Sequence, residues 1–249
     1  MPIFQIDSLN FSSLFKVFAF FSISNAVRYF LVAGTSYLIF WKWGKVKFTD
    51  RRIENRLKQE PQIKNEIFRS LFTMLMFGMV GMLIVLSRYF GFSRIYSDVS
   101  EFGWGYFILS ILIMLFLHDT YFYFLHRMIH HRKLYKKIHL VHHLSVNPTP
   151  FTAFSFHPIE AILEAGIVFL ATFLIPVHIG ALFTFTVISL LMNVHGHLGY
   201  DLYPKNSSKH PFFKWMNTST AHNHHHQWIN GNYGLYFSFW DRWLKTWKE

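Results

Sequence analysis

Long apolar runs constrain this chain more than any other feature of its sequence. They fall at 20–41, 67–85, 104–124, 159–175 and 178–194. A helix needs about 20 residues to cross the hydrocarbon core of a bilayer, within a range of roughly 17–25, and the first three runs meet that requirement. The last two runs are shorter and are separated only by a turn at Pro176, which predicts a tight helical hairpin.

The composition agrees with a membrane protein. Hydrophobic residues make up 52% of the 249 residues and charged residues 15%, against about 25% charged in soluble proteins. The predicted fold class is therefore all-α, a multi-pass transmembrane helical bundle with about four to five membrane helices. The N-terminal segment lacks the basic stretch and cleavage site of a signal peptide, so the first run is expected to stay as an anchor.

The basic residues fall on one side of this predicted bundle. Twenty of the 24 Lys and Arg residues lie in segments 42–69, 126–159 and 198–249. If the helices alternate in direction, the three segments share a side, and the positive-inside rule makes that side cytoplasmic. Anionic headgroups account for the formal charge of +11, so no nucleic-acid partner is expected. Segment 44–66 mixes both charge signs with apolar residues and predicts an interfacial helix.

Three histidine boxes occur on the same predicted side. The boxes are His126 and His130; His139, His142 and His143; and His222, His225 and His226. Histidines four residues apart share one face of a helix. Eight imidazoles are too many for one ion and suit two, and imidazole favours Fe, Zn, Cu and Ni over Mg or Ca. The chain has no cysteine, which excludes haem–thiolate and cysteine-ligated iron–sulfur centres.

Four other histidines are interpreted less specifically. His178 and His210 are expected to be structural residues of an interface and a surface loop. His131 and His224 lie within boxes but break their spacing, so a supporting role and an alternative ligand role both remain open.

The boxes and their surroundings resemble the fatty acid hydroxylase / sterol desaturase superfamily of membrane di-iron oxygenases. That family has His-x3-His, then His-x2-His-His, then a late His-x2-His-His, which match the three boxes in order. Further similarities lie at 118–123, 147–150, 157–160, 197–200, 232–234 and 240–242. The resemblance covers about 104–249, the histidine-box catalytic region. Residues 1–103 are interpreted as membrane anchor helices and the interfacial segment of the same single domain, 1–249.

The resemblance implies two iron ions in a cytoplasmic helical cap over the membrane helices. Nine residues are carried over as metal ligands: His126, His130, His139, His142, His143, His197, His222, His225 and His226. Four more are expected to support those ligands: His118, Asp119, His157 and His195. For His157 and His195 a direct ligand role also remains open. Zinc can replace iron in purified protein, since it binds such sites tightly.

The implied function is O2-dependent hydroxylation of a lipid C–H bond. The electrons would come from a separate donor, of the cytochrome b5 type, the ferredoxin type or similar. Two alternatives stay open: a lipid or sterol desaturase on the same scaffold, and a non-catalytic metal-binding membrane protein. Aromatic residues near the boxes are expected mostly to pack in the membrane, with some lining an apolar substrate channel: Tyr121, Phe122, Tyr123, Phe124, Phe151, Phe154 and Phe156.

Overall fold

The computed structural model describes residues 8–53 and 60–248. The described chain is mostly helical, which confirms the predicted all-α class. In chain order the helices are α1 (Phe11–Ser36), α2 (Glu60–Tyr89), α3 (Gly103–Ile129), α4 (Leu140–His143), α5 (Pro158–Leu174), α6 (Ile179–Gly196), α7 (Ser219–Trp228) and α8 (Phe239–Trp243). A π-helical segment, Tyr37–Trp43, continues α1, and another, Tyr135–His139, leads into α4.

Four helical segments are long and apolar enough to cross a membrane. They are Phe11–Trp43, Pro61–Tyr89, Gly103–Ile129 and Ile179–Gly196. The predicted multi-pass bundle is thus confirmed. Run 159–175 forms α5, a helix of 17 residues. The predicted tight hairpin differs from the structure, because α5 packs mainly against α2 and α3, whereas α6 packs mainly against α3 and α1. Both α5 and α6 begin at a histidine N-cap, because the Nδ1 atoms of His157 and His178 accept backbone N–H groups of the first turn.

Small residues let α1 and α2 approach closely. A Cβ at Gly78 would lie 1.9 Å from the Ser22 hydroxyl oxygen, and one at Gly81 would lie 2.6 Å from the Phe21 ring. Small residues of this kind commonly mediate close packing between membrane helices. Larger residues at these two positions would therefore force the helices apart.

The two ends of the bundle differ in structure. At one end, two-residue strands β1 (Ile95–Tyr96) and β2 (Val177–His178) pair in parallel. At the other end, the backbone N–H of Ile53 donates to the Gly199 carbonyl at 3.1 Å. Because α3 and α6 also finish at this second end, the described parts of all three basic segments meet there, as the charge pattern predicts.

The segment 44–66 differs from the predicted interfacial helix. Residues 44–53 contain one 3-10 turn, Thr49–Arg51, and residues 60–66 are the first turns of α2; residues 54–59 lie outside the described chain. The reason is that Arg52 forms an antiparallel bridge with Tyr200. The backbone around Arg52 is therefore hydrogen-bonded to the segment after α6 and not within a helix of its own.

Candidate metal centre

Nine imidazoles converge at the basic end of the bundle, in two groups. The five-histidine group contains His126, His130, His139, His143 and His225, and the four-histidine group contains His142, His197, His222 and His226. Within each group, one nitrogen of every ring lies within 4.8 Å of those of the others. The two groups together contain the nine histidines that the sequence nominates as ligands.

His126 and His130 of the first box both belong to the five-histidine group, whereas short helices divide the second and third boxes between the groups. His139 and His143 lie one turn apart and face the five-histidine group, while His142 faces the other group. Helix α7 repeats this arrangement: His222 and His226 share one face, and His225 lies beside it. Adjacent residues of a helix point about 100° apart, so neighbouring histidines of one box enter different groups.

The inward-facing nitrogens lie at distances suited to metal coordination. In the five-histidine group, Nε2 of His139 lies 3.0 Å from Nε2 of both His126 and His143. In the four-histidine group, Nε2 of His197 lies 2.9 Å from that of His222 and 3.2 Å from that of His226. Imidazole nitrogens bind such ions at about 2.1 Å, which puts two ligands at right angles about 3.0 Å apart. The donor geometry therefore fits one ion in each group.

Outward hydrogen bonds fix the orientation of four of these rings. Nδ1–H of His126 donates to the Tyr233 carbonyl at 2.9 Å, and that of His225 donates to the Gly231 carbonyl at 2.7 Å. His139 Nδ1 is paired with the Glu160 carboxylate at 2.5 Å, and His197 Nδ1 with the carbonyl four residues earlier at 2.8 Å. A ring that donates through Nδ1 has its lone pair on Nε2, directed into the group.

The loop 231–237 supplies two of those carbonyls and is itself held by two buried aspartates. Asp119 accepts the backbone N–H groups of Tyr236 and Phe237. Asp241 accepts those of Tyr233 and Gly234, at 2.9 and 2.8 Å. Both carboxylates thus position the backbone that orients the ligand rings.

Burial favours the neutral form of three grouped imidazoles that lie outside the membrane spans. It lowers the pKa of His225 to about 4. Burial, together with neighbouring imidazoles, also holds the pKa of His142 and His226 well below the usual 6.5. A neutral ring is the form that binds metal, so these rings are competent ligands at neutral pH.

The four predicted supporting residues lie outside both groups. His118 Nδ1 and the Tyr236 hydroxyl are hydrogen-bonded at 2.6 Å, so His118, like Asp119, contacts loop 231–237 and not an imidazole of the groups. His157 caps α5. The ring of His195 packs against Tyr203. Their predicted supporting role stays a prediction.

The remaining histidines are also separate from the two groups. His131 is exposed and accepts the Lys133 backbone N–H. His224 stacks on the Trp228 ring, with centroids 4.4 Å apart. His178 and His210 accept backbone N–H groups in their turns, in agreement with a structural role.

The sequence reasoning missed Glu160 as the carboxylate that pairs with a ligand ring. Its signal was available, since a carboxyl group in the first turn of an otherwise apolar helix needs a partner when buried. The carbonyls of Gly231 and Tyr233 could not be found in this way, because every residue has a backbone carbonyl and the sequence does not show which of them accept a hydrogen bond from an imidazole.

An apolar cavity of about 200 Å³ lies in the bundle between α1, α2, α3, α5 and α6, and two of its lining residues contact histidines of the two groups. At its histidine end, the Phe156 ring lies 5.0 Å from that of His142, and the Phe122 ring lies 4.9 Å from that of His126. Three of the seven aromatic residues considered for a channel line this cavity: Phe122, Phe154 and Phe156. The anchor helices contribute to its walls as well, for example through Phe20 and Phe77.

Comparison with known proteins identifies relatives of this chain. It is 33% identical to lathosterol oxidase of Homo sapiens over 196 residues, 76% of this chain and 64% of the relative. It is 33% identical to Delta(7)-sterol 5(6)-desaturase of Leptosphaeria maculans over 219 residues, 86% of this chain and 56% of the relative. It is 35% identical to methylsterol monooxygenase 1 of Danio rerio over 130 residues, 52% of this chain and 44% of the relative. The match thus spans less than two thirds of the length of each of these relatives.

No solved structure is significantly similar to the chain. The fatty acid hydroxylase family matches residues 111–246, a stretch that includes all nine histidines of the two groups. On that match the chain belongs to the fatty acid hydroxylase family.

Proposed function

We propose that this protein is a membrane-bound enzyme that uses two iron ions and O2 to oxidise a C–H bond of a lipid. The observation that carries the proposal is the pair of histidine groups next to an apolar cavity, from which Phe122 and Phe156 separate them. The names of the relatives, a sterol oxidase, a sterol desaturase and a methylsterol monooxygenase, support the same class of reaction.

The two groups would each hold one ion through Nε2 atoms. An all-nitrogen donor set suits a transition metal and not Mg or Ca. Iron bound there would supply the oxidising chemistry with O2. The protein contributes the ring orientations through Glu160 and through the carbonyls of loop 231–237.

The cavity would bind the hydrocarbon part of the substrate and exclude water from the centre. Phe122 and Phe156 contact ligand rings and also line the cavity, so a bound chain that reaches them is next to the centre. We further propose that residues 1–249 act as one unit, because α1 and α2 contribute to the same cavity as α3, α5 and α6.

The basic end of the bundle would face the cytoplasm and receive electrons from a separate acidic donor protein of the cytochrome b5, ferredoxin or similar type. Charge complementarity would favour such docking. A reporter fused after Glu249 should therefore give a cytoplasmic signal, and an external signal would contradict this orientation.

Hydroxylation is the proposed outcome, and desaturation is a second candidate because one relative is named a sterol 5(6)-desaturase. Lipids incubated with the iron-loaded protein, O2 and a reductant should gain one oxygen atom if the enzyme hydroxylates and lose two hydrogen atoms if it desaturates. Mass spectrometry separates these products. Two bound ions with no lipid-dependent O2 uptake would favour the alternative of a non-catalytic metal-binding protein.

The metal centre is tested first by metal analysis of protein purified under anaerobic conditions. We expect about two ions per chain, as the donor counts require. His225→Ala should lower occupancy of the five-histidine group, and His222→Ala that of the four-histidine group. His224→Ala is the matched control, since His224 lies between ligands in sequence but outside both groups. Equal metal content in all four proteins would disprove the site.

A further inference from the structure

Arg28 is a charged residue near the middle of the first candidate membrane span. That span runs from Phe11 to Trp43, and Arg28 also lines the apolar cavity. Charged side chains at such depth are energetically costly, and they generally serve a function. The contacts of Arg28 therefore indicate what the cavity binds.

The guanidinium group of Arg28 is hydrogen-bonded only to neutral acceptors among residues 8–53 and 60–248. Nη1 donates to the Thr186 hydroxyl and Nη2 to the Asn25 side-chain oxygen, both at 2.7 Å. Nε donates to the Ser24 carbonyl at 3.3 Å. Within these residues, the one ion pair with N···O of 4.0 Å or less is between His139 and Glu160, so no carboxylate neutralises Arg28.

These partners belong to the cavity wall. Ser24, Asn25 and Thr186 all line the cavity together with Arg28. A guanidinium has five N–H groups, and the three bonds leave two of them for a ligand. An acceptor oxygen bound there would be stabilised by a charge-assisted hydrogen bond, which is stronger than a neutral one.

The surroundings of this polar patch are apolar. The Phe183 ring lies 5.3 Å from the Arg28 Cζ atom, and Phe20, Phe77 and Val80 also line the space. A ligand that matches these walls has a hydrocarbon body and an acceptor oxygen at one end. This description fits both a fatty acid, through its carboxylate, and a sterol-like lipid, through its hydroxyl.

The position of the patch also defines an orientation. Thr186 precedes His197 by eleven residues along α6 and its cap, which corresponds to about 16 Å at 1.5 Å per residue. The same cavity reaches Phe122 and Phe156 beside the ligand rings. The cavity continues along α6 from Thr186 to Asn193 on the histidine side, so a hydrocarbon part that follows this side approaches the histidines.

We propose that Arg28 binds the polar end of the lipid through a carboxylate or hydroxyl oxygen, and that the oxidised carbon is remote from that end. The identification of this lipid as the substrate rests on the proposed function. The binding site itself does not, since it can be occupied without oxidation.

The test is a competition experiment with the full-length, metal-loaded protein in detergent micelles. A radiolabelled long-chain carboxylic acid is displaced by the unlabelled acid, the matching primary alcohol or the matching alkane. The wild type should bind at least one polar lipid about tenfold more tightly than the alkane, as one hydrogen bond to a charged group provides. Arg28→Gln should remove most of this difference. The acid and alcohol arms show which oxygen the site prefers.

Three further variants separate binding from packing. Lys16→Gln removes an exposed positive charge from the same helix and should leave the preference intact. Thr186→Val removes the hydrogen bond between α1 and α6 but keeps the guanidinium, and should also retain a preference for the polar lipid. Arg28→Lys keeps the charge and replaces Arg28→Gln in the experiment if that variant does not fold. It should retain a weakened preference for the polar lipid over the alkane.

The outcomes that overturn the proposal are specific. They are equal affinity of the wild type for alkane and polar lipid, an unchanged preference in Arg28→Gln, and loss of the preference in Thr186→Val to the same extent as in Arg28→Gln. Oxidation next to the polar carbon would overturn the orientation. Arg28-dependent binding without oxidation of any lipid would instead count against the proposed function and leave the binding site supported.

Discussion

The two histidine groups have similar inner geometry but different outer support. In the five-histidine group, three rings are paired outward, to Glu160, the Gly231 carbonyl and the Tyr233 carbonyl. In the four-histidine group, one ring, His197, is paired outward, to the carbonyl of Asn193. Each group also has two rings whose Nδ1 is buried without a hydrogen-bond partner among the described residues: His130 and His143 in the first, and His142 and His226 in the second. Outward partners fix ring orientation and raise ligand basicity.

This difference separates the two groups functionally. The support of the five-histidine group comes from α5 and loop 231–237, so distant parts of the chain must fold before its rings are fixed. The outward bond found in the four-histidine group is local, because the Asn193 carbonyl belongs to α6 and His197 is the C-cap of that same helix. We therefore expect the first group to be the tighter metal site and the one more sensitive to changes elsewhere.

The largest effect is expected from Asp241→Ala. This change leaves the buried N–H groups of Tyr233 and Gly234 without their acceptor, at a cost of roughly 2–6 kcal/mol. Because loop 231–237 carries carbonyls of the five-histidine group only, metal content should fall from about two ions to about one. Thermal unfolding and metal analysis check both effects, with the exposed Asp50→Ala as control. Loss of both ions without unfolding would show that the groups are not independent.

Glu160→Gln should weaken metal binding at the five-histidine group by about 10–100-fold, the usual consequence of removing a carboxylate partner from a ligand histidine. Glu164→Gln is the matched control, because Glu164 is buried one turn later in α5 and has no hydrogen bond to a histidine in the described chain. Metal titration with a competing chelator measures both affinities. Similar losses in the two variants would indicate a general effect of charge in α5.

Chelation of the wild type should release metal in two phases that differ by about tenfold or less in rate. The faster phase is assigned to the four-histidine group, since fewer of its rings have outward partners. His226→Ala should lack this faster phase. A single phase in the wild type would mean that outward support does not distinguish the groups.

Asn193→Ala should change metal affinity by less than about threefold, the smallest effect of the four. His197 is paired to the backbone carbonyl of Asn193, and the substitution preserves this bond. Losing the bond itself would lower metal affinity by more than about threefold. The Asn193 side chain lines the cavity, so the change should show in lipid binding and not in the metal titration. A large loss of metal would assign the side chain a role at the centre.

Much of the fold and the eight box histidines could be predicted because periodicity and residue type report them directly, whereas His197 was predicted only from the resemblance to the family. The apolar runs predicted the membrane spans, and the spacing of the second box predicted that His139 and His143 share one helix face, as they do in the five-histidine group. The predicted interfacial helix at 44–66 differed from the structure because tertiary pairing of Arg52 with Tyr200 overrode the local pattern. Asp119 holds the backbone of loop 231–237, and its predicted role in orienting a ligand stays a prediction; Glu160, the carboxylate that pairs directly with a ring, was not predicted.

The first hundred residues illustrate a second limit. Their sequence predicts a membrane anchor, and residue type alone assigns them no part in the site. Packing of α1 and α2 against the later helices brings Phe20, Arg28 and Phe77 into the cavity wall. Such a contribution depends on which helix faces contact each other, which a single sequence does not report.

Each His-His pair sends one ring to each group, and the two pairs have nearly the same span: the ring centroids of His142 and His143 are 5.7 Å apart, and those of His225 and His226 are 5.9 Å apart. The spacing between the two histidine groups is therefore set twice by a single peptide unit, whose covalent length does not change when the bundle bends. Inserting one residue between the members of either pair would rotate the second ring by about 100° and turn it away from its group, whereas an insertion in the loops between boxes would leave that spacing intact.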